Sequence, residues 1–212
     1  MKQVTGWWFA PQNKKLANGD NRKIKLGITH SLEGKIIPCN YGLHLSKRPI
    51  DALQYAESSI IYKVVGSGII MPHGNPVDKY ACSKRKYIAG GVDISVTLRH
   101  FARLCALDVI HLWNPPEVVV EYLNTGNEKN RDATWDAARD AARDAAWAAA
   151  RAAARDAASA AAWDAAWCAA SAAASAAAWD AASAAAWGAA WEKQNKRLTK
   201  MVKEAIQKAG AE

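Results

Sequence analysis

The chain has 212 residues, half of them hydrophobic, with 28 Lys and Arg against 20 Asp and Glu for a net charge of +8. That length excludes a large multidomain assembly and accommodates one ordinary domain plus an extension. The charge is too moderate to demand a nucleic-acid or acidic partner, though it permits one.

Val4–Ala10 is apolar and β-prone and stops at Pro11, which predicts a first strand. Residues 11–22 (PQNKKLANGDNR) form a polar loop with Asn-Gly-Asp turn chemistry. Lys23–Ile28 alternates as a strand, and Leu32–Ile37 follows as another after a short turn. Gly42–Ser46 reads as a strand, and Arg48–Ala56 as a short helix with Pro49 in its first turn. Ser58–Ile70 predicts a long strand with an interruption at Gly66–Gly68. Asp78–Ile88 predicts a further one, with Lys84, Arg85 and Lys86 on an exposed edge. These elements make residues 1–92 a small α+β head with a mixed sheet of five or six strands.

The period changes at Asp93. Val96, Leu98, Phe101, Leu104, Cys105 and Val109 recur at helical spacing, so Ser95–Leu112 is expected to be an amphipathic helix ended by Asn114-Pro115-Pro116. Glu117–Leu123 is read as a short helix between that Pro pair and Gly126. Residues 93–127 are thus a helical pair and connection, and Thr125-Gly-Asn-Glu128 offers a capping box for a long helix beyond it.

From Arg131 to Gln194 the chain is sixteen four-residue units without a slip in register, each opening on Trp, Arg or Ser and nearly all closing on two Ala. Ala is the best helix former, the run has no Pro, and six of its seven Asp lie in the first nine units, where a helix dipole favours acid. The basic tract after Lys193 lies at the other end. One long Ala-rich helix over 128–212 with a basic amphipathic end is therefore expected, all-α and about 95 Å long in its repeat. A period of four exceeds 3.6, so the first-position stripe drifts by about 40° per unit and implies a right-handed wrap. Trp135, Trp147, Trp163, Trp167, Trp179, Trp187 and Trp191 would then point in many directions from close-packing Ala faces. Seven bare indoles in water are unfavourable, which makes these Trp the expected interface of a homo-oligomer. The longest uncharged run, Ala165–Trp179, has 15 residues, short of the roughly 20 a membrane span needs.

Cys39, Cys82, Cys105 and Cys168 show no CxxC spacing, so neither a zinc site nor a disulfide framework is expected, and His73, His100 and His111 converge on no metal pattern. The opening MKQVTGWWFAPQNKK lacks a signal peptide's apolar run. His44 is the candidate acid/base or ligand-orienting group, and Asp51 reads as a surface or capping carboxylate. One of Trp7 and Trp8 must face inward. Lys84, Arg85 and Lys86 are the candidate phosphate contacts; nucleic acid is admitted but not favoured. No Gly-rich phosphate loop is present, since Val65-Gly-Ser-Gly68 is too short.

Gly42-Leu43-His44-Leu45-Ser46, followed by Pro49-Ile50-Asp51-Ala52 and Tyr55, resembles a small domain of unknown activity found in bacteriophage and bacterial proteins, often joined to low-complexity repeats. Phe101–Ala106 leading into the four-residue units resembles Ala-rich helical regions of bacterial proteins. These resemblances imply a phage origin and a place in the host cytoplasm or the virion. The same Gly-Leu-His-Leu-Ser strand and a helix ending Gln-Tyr-Ala are similar in layout to ADP-ribosyltransferase-like folds and RNA 2′-phosphotransferases. That likeness implies His44, Ser46 and Tyr55 as nucleotide contacts, although their opening His-Gly-Thr or Arg-Gly motif is absent. The expectation is a non-enzymatic structural or accessory interaction protein, without cofactor or metal, that self-assembles through Ala/Trp helices and presents its head to a phage or host protein. The alternative is an ADP-ribosyltransferase-like or nucleotide-binding module centred on His44.

Overall fold

The structure is a computed structural model that describes residues 2–16, 20–108, 110–112, 115–130, 133, 136–137 and 188–211. The chain forms two compact units, one of Met1–Phe101 together with Lys193–Glu212, the other of Ala102–Glu192. The head unit is therefore discontinuous in sequence. Its last twenty residues return after the repeat, which places its boundaries differently from a 1–92 head and a 128–212 helix.

Among the described residues, five strands build the head: β1 (Gln3–Ala10), β2 (Thr29–Ser31), β3 (Leu43–Leu45), β4 (Ile60–His73) and β5 (Lys79–Asp93). All their pairings are antiparallel, in the order β1-β4-β5-β2 with β3 also on β5, so the sheet is not mixed as expected. Short connections suffice for antiparallel neighbours, and β4 runs into β5 through one tight turn. Beyond β3, Ser46 bonds Trp7 in both directions (Trp7 N–H to Ser46 O, 2.7 Å; Ser46 N–H to Trp7 O, 3.0 Å), so the ring β1–β4–β5–β3 returns to β1. Gly6 and Gly66 lie under that closure. A Cβ at either would strike the Leu45 side chain, at 2.7 and 2.6 Å, so the two glycines form the hollow that seats Leu45.

Alternation sorts the residues to two faces. Val4, Trp8, Ile60, Tyr62, Val64 and Tyr87 share the inner one with Leu43, Leu45 and Cys82 as the main apolar cluster. Phe9 and Ile61, paired with one another, lie on the opposite face and are 3% and 0% exposed. A helix over 188–208 (α4) carries its own buried stripe of Leu198, Val202 and Ile206. It ends in a Schellman turn: Gly210 adopts φ +61°, its N–H reaches Gln207 O, and the Ala211 N–H reaches Ile206 O. The Ala211 carbonyl then accepts the Gly90 N–H at 2.7 Å, pinning the chain end to β5.

Two expected strands are absent. Lys23–Ile28 makes the bridge Lys15↔Lys23 and, at Gly27 and Ile28, two backbone bonds to Tyr87, but forms no strand because Gly27 turns the chain at φ +80°. Leu32–Ile37 turns at Gly34, φ +91°, and the strand that forms is β2, between the two expected ones. The short helix α1 (Pro49–Leu53) has Pro49 in its first turn, as the sequence predicts, and is shorter than the expected Arg48–Ala56. α2 (Ser95–Asp108) begins where Asp93 Oδ1 accepts the Ser95 N–H at 2.8 Å and the Ser59 hydroxyl at 2.7 Å.

In the second unit, α3 (Glu117–Thr125) follows the Pro pair and ends on Gly126 in the left-handed conformation, its N–H on Tyr122 O. The expected capping box does not form. Thr125 is the last residue of α3, its hydroxyl donates to Glu121 O, and Asn127 Oδ1 accepts the Lys129 N–H of a short 3₁₀ turn. The long repeat helix, the Asn18–Gly19 turn and the interface Trp135, Trp147, Trp163, Trp167, Trp179 and Trp187 lie outside the described residues. Trp191 is described and half-buried in α4. No described helix is long and apolar enough to cross a membrane.

Candidate binding recess

The inner face of the sheet carries a charged centre. Arg85 is 2% exposed, although Lys84 and Lys86 on either side are open to solvent. The expected exposed basic edge is therefore wrong in two ways: β5 is flanked on both sides, and strand alternation sends Arg85 inward. Lys84 and Lys86 pair across to Ser31 and Thr29 on the opposite face and share no site with Arg85.

The Arg85 guanidinium lies flat on Trp8, 3.6 Å from its ring centre. Its Nε and Nη2 donate to the Tyr87 hydroxyl at 3.2 and 3.0 Å, and Nη1 donates to the His44 carbonyl at 2.6 Å. Because the Tyr87 oxygen receives two N–H groups from a residue that cannot accept, its own proton goes to His30 Nδ1, 2.9 Å away. His30 must then be neutral with its ring proton on Nε2, an assignment made from the network.

Among the described residues, two recesses open against this centre. The larger, about 480 Å³, is lined by His44 and Arg85 with Trp8, Phe9, Leu16, Leu32, Tyr41 and Leu43, and by the carboxylates Asp20 and Glu57. The smaller, about 260 Å³, is lined by Trp7, Trp8, Cys39, His44, Ser46, Tyr55 and Lys79. Trp8, His44, Tyr55 and Glu57 belong to both. The structure thus brings His44, Ser46 and Tyr55 to one recess and His44, Tyr55 and Arg85 to the other, and leaves Lys84 and Lys86 outside both.

His44 alternates between the buried Leu43 and Leu45, and its Nε2 is enclosed without a hydrogen-bond partner among the described residues. Burial first, then the positive charges of Lys79 and Arg85, push its pKa down to about 4. Burial lowers that of His30 as well, with Arg22 and Arg85 adding to it. Tyr55 donates its hydroxyl to Asp78 Oδ2 at 2.6 Å, which raises its pKa to about 12, and Lys79 Nζ sits 3.7 Å over its ring. Asp51 is buried and not the expected surface or capping carboxylate. Arg48 holds it bidentately, at 2.7 and 2.9 Å. Cys39 Sγ lies 3.3 Å from His73 Nε2, and no group of three metal-ligating side chains occurs among the described residues.

The lowered histidine values set a pH dependence. A native pKa below the unfolded one means that the unfolded chain binds more protons between the two, so stability rises with pH from about 4 to about 6.5 and levels off above. The urea midpoint of the full chain is expected to fall as pH drops across that window, and His44→Gln should remove part of the slope. An unchanged midpoint between pH 6.5 and 4 would contradict the burial of His44.

No protein-family model, curated protein or solved structure matches the chain.

Proposed function

We propose that the chain is a non-enzymatic interaction protein whose head is a binding module and whose Ala/Trp repeat associates with copies of itself to display that head. The observation that carries the binding part is the meeting of two recesses at Trp8, His44, Tyr55 and Glu57. Binding is favoured over turnover by the state of the polar groups. A His44 that titrates near 4 is uncharged and weakly basic at neutral pH, so it is suited to hold a hydrogen bond and poorly matched to proton transfer there. Asp51 is locked to Arg48, and Tyr55 to Asp78. These features also favour the nucleotide-binding form of the alternative reading over its ADP-ribosyl-transferring form.

The assembly part rests on the seven Trp of the repeat and on the Ala faces that allow close helix approach. Under it, the protein would act as a phage component or accessory factor in the virion or host cytoplasm, with a phage or host protein as partner. Light scattering of the full chain at two concentrations should return the mass of a discrete oligomer, and Trp163→Ala with Trp167→Ala should lower that mass. A monomer at both concentrations would end the assembly reading and leave the head recess as the functional element.

A further inference from the structure

Arg85 and Asp51 are equally buried, yet their situations differ. Asp51 has Arg48, whereas Arg85 has no carboxylate partner among the described residues. Its three hydrogen bonds end on neutral oxygens, and the Trp8 face adds a cation–π contact. A guanidinium has five N–H groups, so one remains over on each terminal nitrogen. A buried cation without a counter-charge is costly, and arginine does not shed its proton. His44, whose Nε2 is enclosed without a hydrogen-bond partner among the described residues, lines the same recess. The remaining wall sets Trp8, Leu32, Tyr41 and Leu43 beside the polar Asp20, Asn40 and Glu57.

We propose that the larger recess binds a planar ring carrying a single carboxylate or phosphate, the oxyanion on Arg85 and His44 Nε2 and the ring against the aromatic wall. The proposal rests on the binding-module reading and adds the chemical class of the ligand. The two spare N–H groups of a guanidinium match two oxygens of a carboxylate or phosphate. Neutral His44 donates to the same anion when its ring proton sits on Nε2. The bound anion supplies the counter-charge that Arg85 lacks. Neither carboxylate of the recess takes that place: both Asp20 oxygens are bonded to Arg22 at 2.6 Å, and Glu57 is exposed. One cation balances one oxyanion, which favours a single carboxylate or phosphate over a polyphosphate chain.

Calorimetric titration of the full chain with adenosine 5′-monophosphate, indole-3-carboxylate, adenosine and inorganic phosphate tests this. One of the two ring-bearing anions should bind about tenfold or more tighter than adenosine and than phosphate, and which one does so identifies the oxyanion. Arg85→Lys, which keeps the charge and loses the fork, should weaken that binding about tenfold, and His44→Gln should weaken it severalfold. Lys86→Ala, on the opposite face, should leave it unchanged. If Arg85→Lys loses its near-ultraviolet circular dichroism, His44→Gln decides: unchanged affinity there overturns the proposal. Adenosine binding as tightly as its monophosphate, with no effect of Arg85→Lys, also overturns the oxyanion assignment but leaves the binding module standing. No binding by any of the four overturns both.

Discussion

Tyr87→Phe is expected to destabilise the head by about 3 kcal/mol, and Arg85→Met by about 1 kcal/mol or less. The chemically smaller change should thus have the larger effect. Tyr87→Phe removes one oxygen and leaves everything else in place, including a buried guanidinium that used that oxygen twice and a His30 that used it once. Breaking a buried polar pair from one side strands the other side, and a stranded charge is the expensive case. Arg85→Met removes the charge as well and keeps an unbranched chain against Trp8, so the stranded donors disappear with it. Urea denaturation of the full chain, followed by near-ultraviolet circular dichroism, compares the two. If Arg85→Met is the worse variant, Arg85 already has a counter-charge in the native chain and needs none from a ligand. If Tyr87→Phe is the worse, Arg85 is an unbalanced buried cation, and Arg85→Met should be stable while losing the ring-bearing anion.

The same residues mark what was legible in the sequence. Period-two alternation and Pro or Gly punctuation located β1, β4, β5, α1 and α3, because those signals act within a few residues of the structure they specify. Alternation also contained the Arg85 answer. Three consecutive basic residues in a strand cannot share a face, so Lys84 and Lys86 on the outside require Arg85 on the inside. Reading the run as one cluster by composition hid this. The Trp8–Arg85–Tyr87–His30 network was not legible from any local window, since its members come from three strands up to 79 positions apart whose juxtaposition depends on register. β2 was displaced for a related reason. Lys23–Ile28 has the right alternation, but a strand also needs a partner in register, and β5 offers its edge to Thr29–Ser31.

Ending the chain at Glu192 is expected to abolish cooperative unfolding of the head. Asn195, Leu198, Val202 and Ile206 are spaced three or four apart, the pattern of one helix stripe, and all four are buried, Leu198 and Val202 completely. The amphipathic pattern is plain in the sequence, and what it lacks is any local sign of the surface that covers it. Residues 193–212 belong to the head unit, and Ala211 is bonded to Gly90 of β5. Truncating a fully buried Leu alone removes about 2–5 kcal/mol, against a total of about 5–15 kcal/mol for a domain. Losing three such side chains and the Ala211–Gly90 bond together therefore exceeds what a head of this size can absorb. Leu198→Ala in the full chain should lower the urea midpoint substantially, and a peptide of residues 193–212 added in excess to the 1–192 chain should restore part of the transition. Unfolding of the 1–192 chain at the full-length midpoint would instead make α4 an appendage. Otherwise, no fragment that stops before residue 193 is a fair test of what the head binds, because the strands that position Arg85 and His44 depend on a helix encoded beyond the repeat.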